Sequence, residues 1–262
     1  METFPFVVEA REVEPNINLV YFDIEDVSNA IAYLDSHIVT IFCGRQAEDE
    51  PEYAKTCLTN LFATKLNNES WLCGAVAEFF AHLLLNHKGY EQNFLYQNLE
   101  ERSIKKGFDG VYSIEDELWL MESKSGRFNG ELTHYDKVIE ATNDLKNKVS
   151  GQSSANDPWK NAYHHASLIE VGATASIRSQ IKEMAKLYEA GTYQDITSFN
   201  IIPCATLFYT GAIEREELDE LSSKLKTYFS TRDHKGVDII CVSNAALDDF
   251  LSYLGLRRSN DE

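Results

Sequence analysis

The sequence predicts an α/β (α+β) fold in which a central mixed β-sheet carries helices on both of its faces. The first observation is the order of helical and strand-like patterns from Ser70 onward, which runs α-β-β-β-α, then α, then β-α-β-α. The second is a pair of strongly apolar runs, residues 201–209 and 237–242, that are typical of buried strands. The third is a shorter α/β pattern in residues 1–65, which predicts an N-terminal extension.

The N-terminal extension, residues 1–65, is predicted to contain two strands with a helix between them. Residues 6–10 and 38–43 are rich in β-branched and aromatic side chains, whereas residues 27–34 show helical spacing. We expect this section to dock onto a partner protein, and residues 66–262 to form the domain that carries the activity.

A strongly apolar helix is predicted over residues 71–87, with Ser70 as its N-cap. Glu78 stands almost alone as a charge in this run. Because a buried carboxylate is rare unless it is paired, Glu78 either lies at the exposed edge of the helix or belongs to an acidic site. A strand over residues 91–98 follows.

A β-hairpin is predicted next. Its strands cover residues 107–112 and 118–124, and they flank a short polar sequence centred on Glu115 and Asp116. A symmetric turn at these two residues pairs Ile114 with Glu117 and thereby fixes the pairing of the remaining residues in the two strands.

This register places Asp109 directly opposite Glu122. Lys124 follows Glu122 by two residues, so the two side chains point to the same face of the sheet. Facing carboxylates repel each other, and burying them is costly unless a cation lies between them. Mg²⁺ is a hard ion that proteins hold with one or two carboxylates together with substrate phosphate, so the hairpin predicts a metal site.

The rest of the chain supplies the remaining elements of the predicted sheet and its helices. We expect a turn over residues 125–130, a loop over 151–158, and helices over 132–149, 159–190 (broken near Gly172), 214–229 and 244–254. The acidic residues that open the 214–229 helix suit the positive end of the helix dipole and need no functional explanation.

The chain is strongly acidic. Its 42 Asp and Glu residues outnumber 24 Lys and Arg residues, which gives a net charge of −18. Proteins that bind nucleic acid by themselves usually show a basic surface, so the chain as a whole is expected to be repelled from DNA at long range. Either a local basic patch or another subunit must bring nucleic acid to it.

Several classes of protein are disfavoured by the sequence. The five cysteines are widely spaced and form no C-x-x-C pair, which argues against a zinc site or a disulfide scaffold and for a reducing cytoplasm. The start of the chain does not resemble a signal peptide, and no apolar run is long enough to span a membrane. Motifs of NTPases, dinucleotide enzymes and hydrolase-fold esterases are missing from the sequence.

Three segments together resemble the PD-(D/E)XK phosphodiesterase superfamily: the helix with Glu78, the strand with Phe108-Asp109-Gly110, and the strand that ends Glu122-Ser123-Lys124. The fold of that superfamily is restriction-endonuclease-like, with an αβββαβ core. The resemblance covers roughly residues 70–149 and a strand and helix from 200–250. Phe108 stands where the superfamily name has proline, at a position that commonly varies.

This resemblance implies a metal-dependent nuclease that hydrolyses phosphodiester bonds. Asp109, Glu122 and the main-chain carbonyl of Ser123 would bind Mg²⁺ or Mn²⁺, and Lys124 would orient the attacking water or stabilise charge at phosphorus. Glu78 would hold a second metal through water.

A narrower resemblance rests on Gly107-Phe-Asp-Gly and Met121-Glu-Ser-Lys-Ser, which are similar to the HamA family, the nuclease subunits of the Hachiman anti-phage system. It implies a complex with a HamB-type superfamily 2 helicase and degradation of DNA in the bacterial cytoplasm upon phage infection. The acidic charge agrees with this arrangement, because the helicase would grip the DNA and hand it to this chain.

Basic side chains near the hairpin are candidates for contacts to DNA phosphates, which position a nucleic acid without reading its sequence. These residues are Arg102, Lys105, Lys106 and Arg127. The alternative for the two lysines is an ordinary solvated turn.

The acidic residues also have structural alternatives. Asp109 and Gly110 are compatible with ordinary turn chemistry at a strand end, and Glu122 and Lys124 with the solvent-facing stripe of an edge strand. The alternative function is a catalytically silent adaptor that keeps the fold and binds a helicase or another protein through its acidic surface. The trio of Asp109, Glu122 and Lys124 favours the nuclease, because an adaptor has no reason to keep it.

Overall fold

The computed structural model describes residues 3–96, 107–152 and 157–258. Within these ranges, seven strands form one sheet: β1 (Val8–Glu14), β2 (Ile17–Ile24), β3 (Glu91–Gln92), β4 (Gly110–Ile114), β5 (Glu117–Arg127), β6 (Asn200–Phe208) and β7 (Gly236–Asn244). The helices are α1 (Ile31–Phe42), α2 (Pro51–Ala63), α3 (Glu69–His87), α4 (His134–Val149), α5 (Pro158–Ala166), α6 (Ala175–Glu189), α7 (Leu218–Phe229) and α8 (Leu247–Tyr253).

The sheet is mixed, with the strand order β1-β2-β7-β6-β5-β4-β3. Its four central strands, β2, β7, β6 and β5, are parallel, whereas β1 at one edge and β4 and β3 at the other pair antiparallel. Adjacent residues of β5 show the two faces: Met121 packs among residues of α1, α2, α3 and α8, and Leu120 among residues of α4 to α7. The predicted mixed sheet with helices on both faces is confirmed.

The strands of the N-terminal section belong to this same sheet. β2 pairs in parallel with β7 over its whole length, from Ile17 to Ile24, and β1 covers its outer edge. The sequence analysis identified part of β1 but missed β2, which is buried along most of its length. That residues 1–65 dock onto a partner stays a prediction.

The strand predicted over residues 38–43 is wrong, because these residues form the second half of α1 and its C-cap. Leu34, Ile38 and Ile41 are fully buried, and their spacing places them on one helix face against the core. Packing of that face outweighs the weak helix propensity of the β-branched residues.

Boundaries near the hairpin differ from those predicted for local reasons. The N-cap of α3 is Asn68 rather than Ser70, because the Asn68 side chain accepts a 3.0 Å hydrogen bond from the N–H of Trp71. β5 runs on to Arg127 because its ladder with β6 extends that far, so the turn predicted from residue 125 begins later. The strand predicted over 91–98 is only two residues long in β3, and residues 97–98 lie outside the described ranges.

The last part of the chain has the predicted order of strand, helix, strand and helix, which are β6, α7, β7 and α8. The helices α7 and α8 begin later than predicted. α7 starts at Leu218, because Glu216 binds His134 instead of entering the helix. α8 starts at Leu247, because β7 extends to Asn244.

The hairpin itself has the predicted register. Ile114 pairs with Glu117, and the two residues between them, Glu115 and Asp116, adopt φ values of 50° and 62°. A two-residue loop with two positive φ angles is a type I′ turn, whose twist matches that of the strands it joins. The turn therefore fixes which residues of β4 and β5 face each other.

None of the described helices has the length and apolar character that crossing a bilayer requires. The five cysteines are free thiols, and three of them, Cys73, Cys204 and Cys241, are buried.

Candidate functional site

Asp109 lies just before β4, where the ladder between β4 and β5 ends. Gly110 pairs with Met121, in the predicted register, but the ladder ends there, so the strand predicted from residue 107 begins later and the predicted pair of Asp109 and Glu122 is not part of the ladder. The Oδ2 atom of Asp109 accepts a 2.9 Å hydrogen bond from the backbone N–H of Ser123. The Asp109 carboxylate thus accepts the backbone hydrogen bond that a residue of β4 would accept from β5 if the ladder continued.

Ser123 presents further oxygen atoms beside Asp109. In an extended strand the N–H and C=O of one residue point to the same side, so the Ser123 carbonyl also lies on the Asp109 side of β5. The Ser123 hydroxyl is buried and has no hydrogen-bond partner among the described residues. A buried polar atom that lacks a partner commonly marks the position of a water or an ion.

Glu122 is the most buried acidic residue of the site, with 1% of its surface exposed. Its Oε1 atom accepts a 2.7 Å hydrogen bond from Nζ of Lys124. Both side chains lie on the face of the sheet that α4 covers, as the two-residue spacing predicts.

α4 supplies two residues that the sequence analysis missed. Lys148 donates to Oε2 of Glu122 from the helix side, and Asp144, one turn earlier, accepts a 2.5 Å hydrogen bond from Lys124. The distance between Nζ of Lys148 and Oδ2 of Asp144 is 3.8 Å. An acid and a base four residues apart on the helix after the hairpin were visible in the sequence, but the face they occupy is set by tertiary packing.

Glu78 reaches the site from the opposite face of the sheet. It lies on α3, with 14% of its side chain exposed, and its Oε1 atom is 3.6 Å from Nε2 of the buried His82. Its negative charge helps to raise the pKa of Asp109. Glu78 is therefore an electrostatic neighbour of Asp109, and its membership of an acidic site stays a prediction.

The two central carboxyls bind protons more tightly than usual. Burial, followed by the negative charge of Glu78, raises the pKa of Asp109. Burial and the charge of Asp109 raise the pKa of Glu122 to about 8, although Lys148 and Lys124 partly oppose this shift. Burial acts to lower the pKa of Lys124. The carboxylate of Glu122 and the hydrogen bond to Asp144 outweigh burial, so the pKa of Lys124 is raised above its usual value.

Of the four basic residues proposed to contact DNA, Arg127 is the one that lies within the described ranges. Arg127 stands at the end of β5 and donates a 2.5 Å hydrogen bond to Glu69 in the first turn of α3. Arg102, Lys105 and Lys106 lie outside the described residues.

The oxygen donors at the site fit a hard divalent cation. Mg²⁺ uses one or two carboxylates and fills its other positions with water and substrate, and Asp109, Glu122 and the Ser123 carbonyl could supply such a set. In the described part of the chain, His, Cys, Asp and Glu side chains form no cluster of three or more that could hold a metal as the side chains stand. Both carboxylate oxygens of Glu122 are held by lysines, so binding would require one lysine to move.

Comparison of the chain with protein-family models and with curated proteins finds no match.

Proposed function

We propose that this chain is a metal-dependent nuclease of the PD-(D/E)XK type that hydrolyses phosphodiester bonds of DNA. The observation that carries the proposal is the position of Glu122: a carboxylate with 1% of its surface exposed, beside Asp109 and hydrogen-bonded to Lys124. Such a cluster contributes little to stability, because burial and like charge both disfavour ionised carboxylates. Strongly perturbed carboxyls of this kind are typical of active sites.

The order of the elements around the site supports the proposal. α3, β3, β4, β5, α4 and β6 occur in the order of the αβββαβ core of that superfamily, with α5 and α6 inserted between α4 and β6. β3, β4 and β5 form an antiparallel meander, and β6 is parallel to β5. The acidic residue on the helix, the Asp before β4 and the Glu-x-Lys on β5 stand on the elements where the resemblance expects them.

Each residue then has a distinct role in the proposed reaction. Asp109, Glu122 and the Ser123 carbonyl would hold Mg²⁺ or Mn²⁺, which when bound polarises the phosphate and lowers the pKa of a water molecule. Lys124 is oriented by Glu122 and Asp144, so its ammonium group is fixed in place to stabilise negative charge that develops on the phosphate. Glu78 adds negative charge on the far side of Asp109 and would favour binding of a second cation through water.

Delivery of the DNA by a partner belongs to the same proposal. The net charge of −18 disfavours autonomous binding to a polyanion. A HamB-type superfamily 2 helicase, as the resemblance implies, would hold the DNA in an anti-phage defence complex. Weak DNA binding by the isolated chain at physiological salt is expected, and tight salt-sensitive binding would contradict delivery by a partner.

A second candidate function is a silent adaptor, and one observation favours it. Lysines hold both oxygens of Glu122, an arrangement that would also suit a cluster that has become purely structural. Such an adaptor would bind a helicase or another protein through its acidic surface without cutting.

The discriminating experiment is cleavage of supercoiled plasmid and linear DNA with Mg²⁺, by the chain alone and with its co-purified partner. We expect cutting that requires the metal and that the double variant Glu122→Ala/Lys124→Ala abolishes, while folding and partner binding persist. The matched control is Glu183→Ala/Lys186→Ala, which removes an exposed ion pair on α6 and should cut normally. Cleavage retained by the first double variant would reject the proposed site, and no cleavage of DNA or RNA by any preparation would favour the adaptor.

A further inference from the structure

Glu122 is held by two lysines that reach it from different elements. Lys124 comes from the same strand and donates to Oε1, and Lys148 comes from the last turn of α4 and donates to Oε2. With 1% of its surface exposed, Glu122 cannot be solvated by bulk water instead. A cation that binds Glu122 must therefore replace one of these two contacts.

The charges of the site indicate that a divalent cation would be accommodated if a lysine withdrew. Asp109, Glu122 and Asp144 carry three negative charges when ionised, whereas Lys124 and Lys148 carry two positive charges. A divalent ion placed against Glu122 would repel an ammonium group that remained on the same carboxylate. The withdrawing lysine needs another acceptor, because an unpaired charge is costly in a partly buried position.

Asp144 is such an acceptor for both lysines, and Lys148 is the one that does not yet donate to it and can move to it. Oδ2 of Asp144, one turn earlier on the same helix, is 3.8 Å from its Nζ atom. Lys124 already donates to Asp144, at 2.5 Å, and keeps that bond if it stays in place. Asp144 has 39% of its side chain exposed, so water can complete its hydrogen bonding during the exchange.

We propose that Lys148 is a positioning residue that occupies the Glu122 carboxylate in the metal-free protein and moves to Asp144 when a divalent cation binds. It thereby sets the affinity of the site for the cation. This inference rests on the proposed metal site at Asp109 and Glu122 and adds to it the residue that a cation has to displace.

The two residues should have opposite effects on cation affinity. Lys148→Met keeps most of the aliphatic side chain but removes the competing charge, so we expect Mn²⁺ to bind about tenfold more tightly. Asp144→Asn removes the charge that receives Lys148 and helps to hold Lys124, so Mn²⁺ should bind about tenfold more weakly. The matched control is Lys146→Met on the same helix, where Lys146 lines a cavity with Thr142, Ile196 and Arg232, and its Mn²⁺ affinity should match the parent chain.

The measurement is titration of the metal-free full chain with Mn²⁺, in which free Mn²⁺ is followed by electron paramagnetic resonance and the thermal midpoint is recorded with and without the ion. We expect Lys148→Met to have a lower midpoint without metal and a larger rise on adding Mn²⁺ than the parent chain. This second readout does not depend on cleavage. Circular dichroism of each variant verifies that it has folded.

The outcomes separate the two proposals. If the parent chain binds Mn²⁺ in a Glu122-dependent manner but Lys148→Met binds equally or more weakly, the displacement inference is overturned while the nuclease proposal stands. If neither chain binds Mn²⁺ and Glu122→Gln changes nothing, the metal site itself is rejected and the inference with it. Binding by Lys148→Met when the parent chain binds only weakly would support the inference.

Discussion

The two ends of α4 carry the two most buried ionic clusters described above, and they are built differently. At the first residue, Nδ1 of His134 lies 2.5 Å from Oε2 of Glu216, and Nε2 lies 3.0 Å from the carbonyl oxygen of Val242. The backbone N–H of His134 donates to the same carboxylate. The ring nitrogens and the backbone N–H of His134 therefore all have a hydrogen-bond partner. In the last turns, Lys148 instead shares Glu122 with Lys124.

The pKa values of Glu216 and Glu122 are shifted in opposite directions. Burial acts to raise the pKa of Glu216, but the hydrogen bond and the charge of His134 outweigh it, so the pKa is lowered. Burial together with Asp109 raises the pKa of Glu122 to about 8. A balanced cluster stabilises the fold, whereas a cluster with excess like charge stores an energetic cost that a ligand can relieve. The difference supports the proposed site at one end of the helix and indicates a structural role for the cluster at the other end.

The largest effect expected from this contrast is on stability. Glu216→Ala leaves His134 without the acceptor for both its ring and its backbone N–H, so we expect a loss of about 3 kcal/mol in the free energy of unfolding. Glu122→Ala should cost less than about 1 kcal/mol, because it also removes repulsion with Asp109 and leaves both lysines near Asp144.

Urea unfolding of the metal-free chain and the two variants measures this difference. Glu216→Gln, which keeps an acceptor, serves as the control and should lie between the parent chain and Glu216→Ala. Equal losses in the free energy of unfolding for Glu122→Ala and Glu216→Ala would show that the Glu122 cluster is structural. The two ends of α4 would then not differ in the way described.

The two carboxyls should also give opposite pH dependences. Glu216 has a folded pKa below its ordinary value of 4.5, so its stabilisation is present above 4.5 and is lost as the pH falls through the folded pKa. Glu122 has a folded pKa of about 8, so its contribution is present below 4.5 and is lost as the pH rises towards 8.

We therefore expect the metal-free chain to lose up to about 4 kcal/mol of stability between pH 5 and 8.5 that Glu122→Gln does not lose. Urea unfolding in the presence of a chelator tests this, with Glu216→Gln as the control that keeps the slope in this range. Parallel pH profiles for the parent chain and Glu122→Gln would contradict the unbalanced electrostatics of the site.

The smallest effect concerns the hairpin that holds the site. Glu115 and Asp116 adopt φ values of 50° and 62°, for which Asn and Gly are better suited. The double change Glu115→Asn/Asp116→Gly should stabilise the chain by about 1 kcal/mol without altering Mn²⁺ affinity. A change in Mn²⁺ affinity would mean that the turn, and not only the two clusters, tunes the site.

The sequence predicted the local part of the site well and the tertiary part poorly. The pairing of Ile114 with Glu117 follows from turn length alone, and the positions of Asp109, Glu122 and Lys124 follow from that register. Lys148 comes from a helix whose rotation depends on packing against the sheet. No local pattern fixes that rotation, so its contact with Glu122 could not be predicted.

The same distinction explains the errors of fold prediction. Residues 38–43 have the composition of a strand, but the buried face of α1 forces them into a helix. β2 was missed because its burial depends on β7, which lies more than two hundred residues later in the chain. Glu216 was assigned to the dipole of α7, yet its partner is His134 on another helix.

β5 is longer than β4, so one stretch of β5 lies beside β4 and another extends past it. The amino-acid sequences of these two stretches would change to different extents among descendants of a common ancestor. From Trp119 to Met121 β5 has ladder partners on both sides, so its side chains are constrained by packing. From Glu122 to Arg127 the β4 ladder has ended and β6 alone pairs with β5, so under the proposed function chemistry would be the main constraint on the charged positions. If the proposed nuclease activity were lost in a descendant, we expect it to keep the apolar run before residue 122 and to lose its charges at 122 and 124 first.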